Sequence, residues 1–243
     1  MPSASVSDFV DSSVEPKVRG YLHVPETSNG TGLILTHGAG GNVQAPLLRA
    51  LADTFSAAGV TVLRCDLPYR QARSFGPPGP ADAARDRAGL KNAVVVLRTI
   101  LDSARNQEKE KRNIFLGGHS YGGRQSSMLC AEEPELVSGL LLLSYPLHPP
   151  RRPEQQRTQH LPDLHTPTLF VHGSRDPFGT TEELERALKM IPARTKLITI
   201  EGAGHDLGFK GKSKKEELPG WIFSEFSTFL GVILSEAKDP YTA

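Results

Sequence analysis

The hexapeptide Gly118-His119-Ser120-Tyr121-Gly122-Gly123 constrains this chain more than any other stretch. It follows an apolar, β-rich run, Asn113–Gly118, and precedes a helical pattern from about Tyr121 to Ala131. A chain that passes so quickly from strand to helix bends sharply enough to strain the residue at the turn. Glycines two places either side remove the Cβ clashes that would forbid the bend. Gly-x-Ser-x-Gly in this context is a nucleophile elbow. It lifts the Ser120 hydroxyl above a sheet. It also turns the Tyr121 N–H, at a helix N-terminus, toward the place where an oxyanion would form.

An elbow needs strands and helices around it, and both patterns recur. Apolar runs lie at Gly32–His37, Thr61–Asp66, Asn113–Gly118, Gly139–Ser144, Thr168–His172 and Lys196–Ile200. Leu140–Leu143 is unbroken, as expected of a strand covered on both faces. Stripes with helical spacing fall between most of them. One is Leu47, Leu48, Leu51 and Phe55, and another is Leu90, Ala93, Val94, Leu97 and Leu101. A third is Leu184, Ala187, Leu188 and Ile191, preceded by a capping box of Thr180 and Glu183. Ile222, Phe226, Phe229, Leu230 and Ile233 form the last.

Strands alternating with helices predict βαβ units and a mainly parallel sheet with helices on both faces. Val6–Val10 and Lys17–Val24 are expected as an antiparallel hairpin at the sheet edge. The proline-rich segments Pro68–Pro80 and Pro146–Pro167 read as long loops, and Glu236–Ala243 as a frayed tail.

Charge and composition exclude several classes. Among 243 residues, 28 Lys and Arg balance 27 Asp and Glu, which speaks against nucleic-acid binding by general basicity. With 38% hydrophobic residues the chain is not disordered, and one domain over residues 1–243 is expected, with its core at about 17–235. Cys65 and Cys130 make neither a disulfide framework nor a metal signature and read as buried thiols. Met1–Asp11 has no secretory pattern and no apolar run is long enough to span a membrane, so a cytoplasmic location without membrane contact is expected. The oligomeric state stays open.

Three further motifs follow predicted strand ends. His37-Gly38-Ala39-Gly40-Gly41 would leave backbone N–H groups pointing inward, with Ala39 as the second oxyanion donor and Gly38 as the alternative. It lacks the Lys-Ser/Thr ending of a phosphate loop. His172-Gly173-Ser174-Arg175-Asp176-Pro177 places a carboxylate just past a strand, where it can orient an imidazole. Gly202-Ala203-Gly204-His205-Asp206 carries that imidazole on a loop able to reach Ser120. The chain order Ser120, Asp176, His205 is one of the known serine-hydrolase orders, each residue at the strand end where open parallel sheets build their sites.

These pieces, with Arg64-Cys65-Asp66-Leu67-Pro68-Tyr69, resemble small α/β-hydrolases over roughly residues 17–235. Within them the chain is similar to the dienelactone-hydrolase-like branch, which includes relatives found as chromatin-complex subunits. The resemblance implies an α/β-hydrolase fold with Ser120 as nucleophile, Asp176 as acid and His205 as base, and no metal or cofactor. A strict dienelactone hydrolase uses cysteine as nucleophile, whereas this chain has serine. The expected activity is cleavage of small carboxylic esters or thioesters through an acyl-enzyme, with a small-molecule ester as partner. The alternative is a non-catalytic binding or scaffold protein on the same fold. Only residues 145–167 lie at the usual cap position, without helical periodicity, so no large cap is expected.

Pocket walls are expected from Tyr69, Tyr121, Pro146, Phe178 and Phe209. His37 is expected to support the oxyanion loop, His119 and His172 to be structural, and Asp206 to point away. Arg70 and Arg73 either meet an acidic substrate or serve the loop itself. His160 and His165 with Arg151, Arg152 and Arg157 read as a solvated loop. Lys210, Lys212, Lys214 and Lys215 with Glu216 and Glu217 read as a solvated face.

Overall fold

The structure is a computed structural model and describes residues 4–103, 113–209 and 216–236, without the side chains of 230 and 232–236. Its strands are β1 (Ser5–Asp11), β2 (Val18–Val24), β3 (Gly32–Thr36), β4 (Thr61–Cys65), β5 (Ile114–His119), β6 (Gly139–Leu143), β7 (Thr168–Gly173) and β8 (Thr195–Ile200). Its helices are α1 (Pro46–Ala57), α2 (Pro68–Ala72), α3 (Asp82–Ser103), α4 (Tyr121–Glu132), α5 (Thr181–Leu188) and α6 (Leu218–Glu236). Strands β3 to β8 fall within one residue of the apolar runs, and in β3 to β7 burial on both faces leaves little room for polar residues.

The strands form one sheet in the order β1-β2-β4-β3-β5-β6-β7-β8. The hairpin β1–β2 is antiparallel and pairs antiparallel with β4, while every pairing from β4 to β8 is parallel. Side chains alternate between two cores, as the pleat requires. Ile34, Leu140 and Leu142 enter one core with α3 and α4, while Leu33, Leu35, Leu141 and Leu143 enter the other with α1 and α6. Because β3, β5, β7 and β8 run parallel, their C-terminal ends open at one rim of the sheet. The four motifs therefore meet there.

The two proline-rich segments depart from the loop reading. Pro68 begins α2, because its fixed φ suits the first helical position, and Pro68, Tyr69 and Arg70 are buried. α3 starts at Asp82, two turns before the apolar stripe, since Asp82–Gly89 is mostly alanine and charge and shows no periodic face. The β6–β7 connection packs Leu147, Leu161 and Leu164 inward and carries a single 3-10 turn, Leu161–Asp163. No large cap is inserted there.

The solvated-loop reading fails for His160, whose Nε2 lies 2.8 Å from the Ser127 hydroxyl. Burial and the guanidiniums of Arg124 and Arg87 push its pKa down to about 4. Arg151, Arg152 and His165 are exposed and Arg157 half-buried. Lys210, Lys212, Lys214 and Lys215, and residues 237–243 of the tail, lie outside the described residues; Glu216 and Glu217 are exposed. Cys65 and Cys130 are free and buried, and burial raises both thiols to about 12. Among the described residues no helix is long and apolar enough to cross a membrane.

Candidate active site

The elbow sits where the spacing places it. Ser120 joins β5 to α4 with φ 52° and ψ −117°. A non-glycine residue in this region costs about 1–3 kcal/mol. The tightness around it explains the glycines. A Cβ on Gly122 would stand 2.5 Å from the His37 carbonyl oxygen, and one on Gly118 would stand 2.6 Å from the Gly122 carbonyl carbon. The Ser120 N–H donates to the Leu143 carbonyl at 2.8 Å, so the turn is tied to β6. The Ser120 side chain does not cap α4, which leaves it free for other bonds.

Asp176 stands in a short turn after β7, with its carboxylate buried. Oδ1 accepts the Phe178 N–H at 2.9 Å. His172, fully buried, spans the same turn by donating from Nε2 to the Gly179 carbonyl at 2.8 Å, which is a structural role. The loop after β8 docks on this turn backbone to backbone. Arg175 N–H donates to the Ala203 carbonyl at 2.9 Å, and a Cβ on Gly173 would lie 2.4 Å from that oxygen.

The docking brings His205 between the other two residues. Its Nδ1 lies 2.8 Å from Asp176 Oδ2 and its Nε2 lies 2.8 Å from Ser120 Oγ. A carboxylate accepts only, so Nδ1 carries the proton and the Nε2 lone pair faces the serine hydroxyl. Two neighbours hold the imidazole. His119 donates from Nε2 to the His205 carbonyl at 2.7 Å, and the Phe178 ring lies 4.2 Å from the His205 ring, tilted by 33°.

The loop after β3 is held from behind by its carbonyls. The Gly38 carbonyl accepts from the Gly41 N–H at 3.0 Å, from His37 Nδ1 at 2.9 Å and from the Tyr69 hydroxyl at 3.3 Å. His37 Nε2 accepts the Leu67 N–H, so Nδ1 is the protonated nitrogen, and burial keeps this ring neutral by lowering its pKa. The Ala39 carbonyl accepts from the Tyr69 hydroxyl at 2.9 Å and Arg70 Nη2 at 3.1 Å. The Gly41 carbonyl accepts from Arg70 Nε at 2.8 Å. In a trans peptide the N–H points opposite to the preceding carbonyl, so the Ala39 N–H faces away from this scaffold. The loop also runs against Ser120, since a Cβ on Gly38 would lie 3.2 Å from Ser120 Cβ.

Both arginines serve the loops. Arg70 also donates to the Arg73 and Gly76 carbonyls, and Arg73 binds Asp82 at 2.6 Å and the Pro77 carbonyl at 2.9 Å. Neither lines the cleft over Ser120, which has a volume of about 540 Å³. Phe178 and Phe209 do line it, opposite Ala45, Pro46, Leu47 and Leu48. Tyr69, Tyr121 and Pro146 do not. Tyr121 turns toward Asp86 instead and donates its hydroxyl there at 2.8 Å, while the Tyr69 hydroxyl is taken by the Gly38 and Ala39 carbonyls. Asp206, expected to point away, is among the residues that line the cleft, and its Oδ1 accepts the Gly208 N–H at 3.1 Å. Sequence reasoning missed the Tyr69–Arg70 scaffold and Asp86. Their partners are backbone carbonyls and distant residues, which leave no spacing pattern.

Comparison with known proteins agrees with this fold. A family profile described as an alpha/beta hydrolase domain matches residues 29–222. Dienelactone hydrolase from Anabaena variabilis superimposes with a TM-score of 0.67 at 22% identity, over 94% of this chain and 96% of that one. An alpha-beta serine hydrolase homologue from Coxiella burnetii gives 0.66 at 17% identity, over 90% and 96%. An α/β serine hydrolase without a lid from Xanthomonas campestris gives 0.64 at 15% identity, over 93% and 95%. With the profile spanning most of its length, and a dienelactone-hydrolase-like fold around the elbow, the chain belongs to the alpha/beta hydrolase family.

Proposed function

We propose that this protein is a serine hydrolase that cleaves small carboxylic esters or thioesters through an acyl-enzyme on Ser120. The observation that carries the reading is the hydrogen-bonded line Asp176–His205–Ser120, with both links at 2.8 Å. A serine hydroxyl is a weak nucleophile until a base takes its proton. His205 Nε2 accepts that proton as Oγ bonds to the substrate carbonyl carbon. Asp176 holds the tautomer and stabilises the imidazolium.

The carbonyl oxygen then carries the negative charge. Two N–H groups are proposed to receive it: Ala39, turned away from its carbonyl scaffold, and Tyr121, whose N–H at the start of α4 has no partner within the helix. The tetrahedral adduct collapses, the alcohol or thiol leaves with the proton from Nε2, and water repeats the attack to release the acid. The cleft favours a neutral apolar acyl or aryl group. Its walls are mainly apolar, with Asn42 and Gln44 beside the aliphatic and aromatic side chains, and among the described residues the one carboxylate residue on them, Asp206, would repel an acidic substrate.

The test is hydrolysis of p-nitrophenyl acetate and butyrate between pH 5 and 9 by the parent protein and Ser120→Ala. The reading predicts hydrolysis by the parent protein that vanishes in the variant. Equal traces from the two folded proteins would contradict it and favour the scaffold alternative.

A further inference from the structure

Asp86 is a fully buried carboxylate on the second turn of α3. Among the described residues no cation hydrogen-bonds to it. One oxygen accepts the Tyr69 N–H at 3.0 Å and the other accepts the Tyr121 hydroxyl at 2.8 Å. These two partners come from different elements, α2 and α4. Their rings meet edge to face, 5.9 Å apart at 90°. Tyr69 in turn holds the Ala39 carbonyl through its hydroxyl at 2.9 Å. The helices are seated closely enough for this to be rigid: a Cβ on Gly89, one turn along α3, would stand 2.5 Å from the Pro68 ring.

Traced along the bonds, the path runs Ala39, Tyr69, Asp86, Tyr121. Its two ends are the residues whose N–H groups are proposed to receive the oxyanion. We infer that Asp86 is a positioning residue, which sets the spacing of the two oxyanion donors: it anchors Tyr121, which bears one, through its hydroxyl, and it anchors the backbone of Tyr69, whose own hydroxyl holds the Gly38 and Ala39 carbonyls of the loop that bears the other. This inference rests on the serine-hydrolase reading. A polar group buried this completely is retained only with its bonds made, and here both bonds lead to the oxyanion site. Burial raises the Tyr121 phenol far above its ordinary range, so it remains a donor to Asp86 throughout the working pH range.

The role predicts a particular kinetic signature. Donors aimed at an oxyanion act on charge that exists only in the transition state, so their misplacement lowers kcat and leaves KM nearly alone. Tyr121→Phe removes one hydroxyl and keeps the backbone N–H. Asp86→Asn keeps the shape and an acceptor for Tyr69. Each should lower kcat on p-nitrophenyl butyrate by about 10- to 100-fold, with KM within about twofold. Affinity for a trifluoromethyl ketone, which forms a tetrahedral oxyanion on the serine, should fall by the same factor as kcat. The double variant should be no worse than the poorer single, because both break one path. A loss of kcat without a matching loss of affinity for the ketone, additive losses, or folded variants with parental kcat would overturn the role. Ser120→Ala separates the two failures. An active Ser120→Ala removes the hydrolase reading and this one with it. An inactive one beside fully active Tyr121→Phe and Asp86→Asn removes only the positioning role.

Discussion

The two sides of Ser120 are built on different principles. On one side, the chemistry proposed for Asp176 and His205 runs through side chains. Each is held by few bonds, and the arm needs only the docking of two loops at Gly173. On the other side, the chemistry proposed for the loop at 38–41 runs through backbone N–H groups. A backbone donor cannot be aimed by choosing a rotamer, so its peptides must be fixed from behind. Tyr69, Arg70 and His37 do this through the carbonyls of Gly38, Ala39 and Gly41. The acid–base arm concentrates its function in two residues, whereas the donor arm spreads it over a scaffold.

That contrast predicts graded damage. The largest effect belongs to the acid–base arm. His205→Ala should lower kcat by about 10⁴- to 10⁶-fold and Asp176→Asn by about 10³- to 10⁴-fold, with folding unchanged by circular dichroism. Comparable losses from a donor-arm side chain would break the comparison. Arg70→Met, which removes a buried guanidinium from four carbonyls, should cost about 10- to 100-fold in kcat. It should also cost about 2–3 kcal/mol of stability in urea, because the carbonyls lose charge-assisted partners.

The donor arm should also carry an acid sensitivity. His23 is buried and accepts from Arg64 Nε at 2.8 Å, and the same guanidinium holds the Val43 carbonyl at 2.6 Å. Burial and the Arg64 charge lower the His23 pKa from 6.5 to about 4. The unfolded chain therefore binds the proton more readily, and the associated stability is present above pH 6.5 and lost as pH falls toward 4. The loss is roughly 3 kcal/mol at most. His23→Gln should flatten the urea midpoint across this window relative to the parent. The smallest effect is expected at Phe178, which packs on the His205 ring. Phe178→Leu should cost about 1 kcal/mol or less, read as a several-fold fall in kcat/KM on the butyrate ester.

The same contrast explains what was legible in the sequence. Ser120, Asp176 and His205 announce themselves because side-chain chemistry is written in residue types, and each follows an apolar run that marks a strand end. The central strands are legible because burial on both faces leaves unbroken apolar stretches such as Leu140–Leu143. The donor loop shows through its glycines, but what fixes it does not. Tyr69 and Arg70 sit in a proline-rich stretch that reads as an open loop, although Pro68 starts a buried helical turn. Asp86 lies in the apolar-poor start of α3, and its partners are 17 and 35 residues away in sequence.

Covalent labelling tests the central claim most directly. Incubation of the parent protein with a fluorophosphonate, followed by intact and peptide mass spectrometry, should yield one adduct mapped to Ser120. His205→Ala should remain unlabelled under the same conditions. A folded parent that stays unmodified, or an adduct on a residue other than Ser120, would contradict the account.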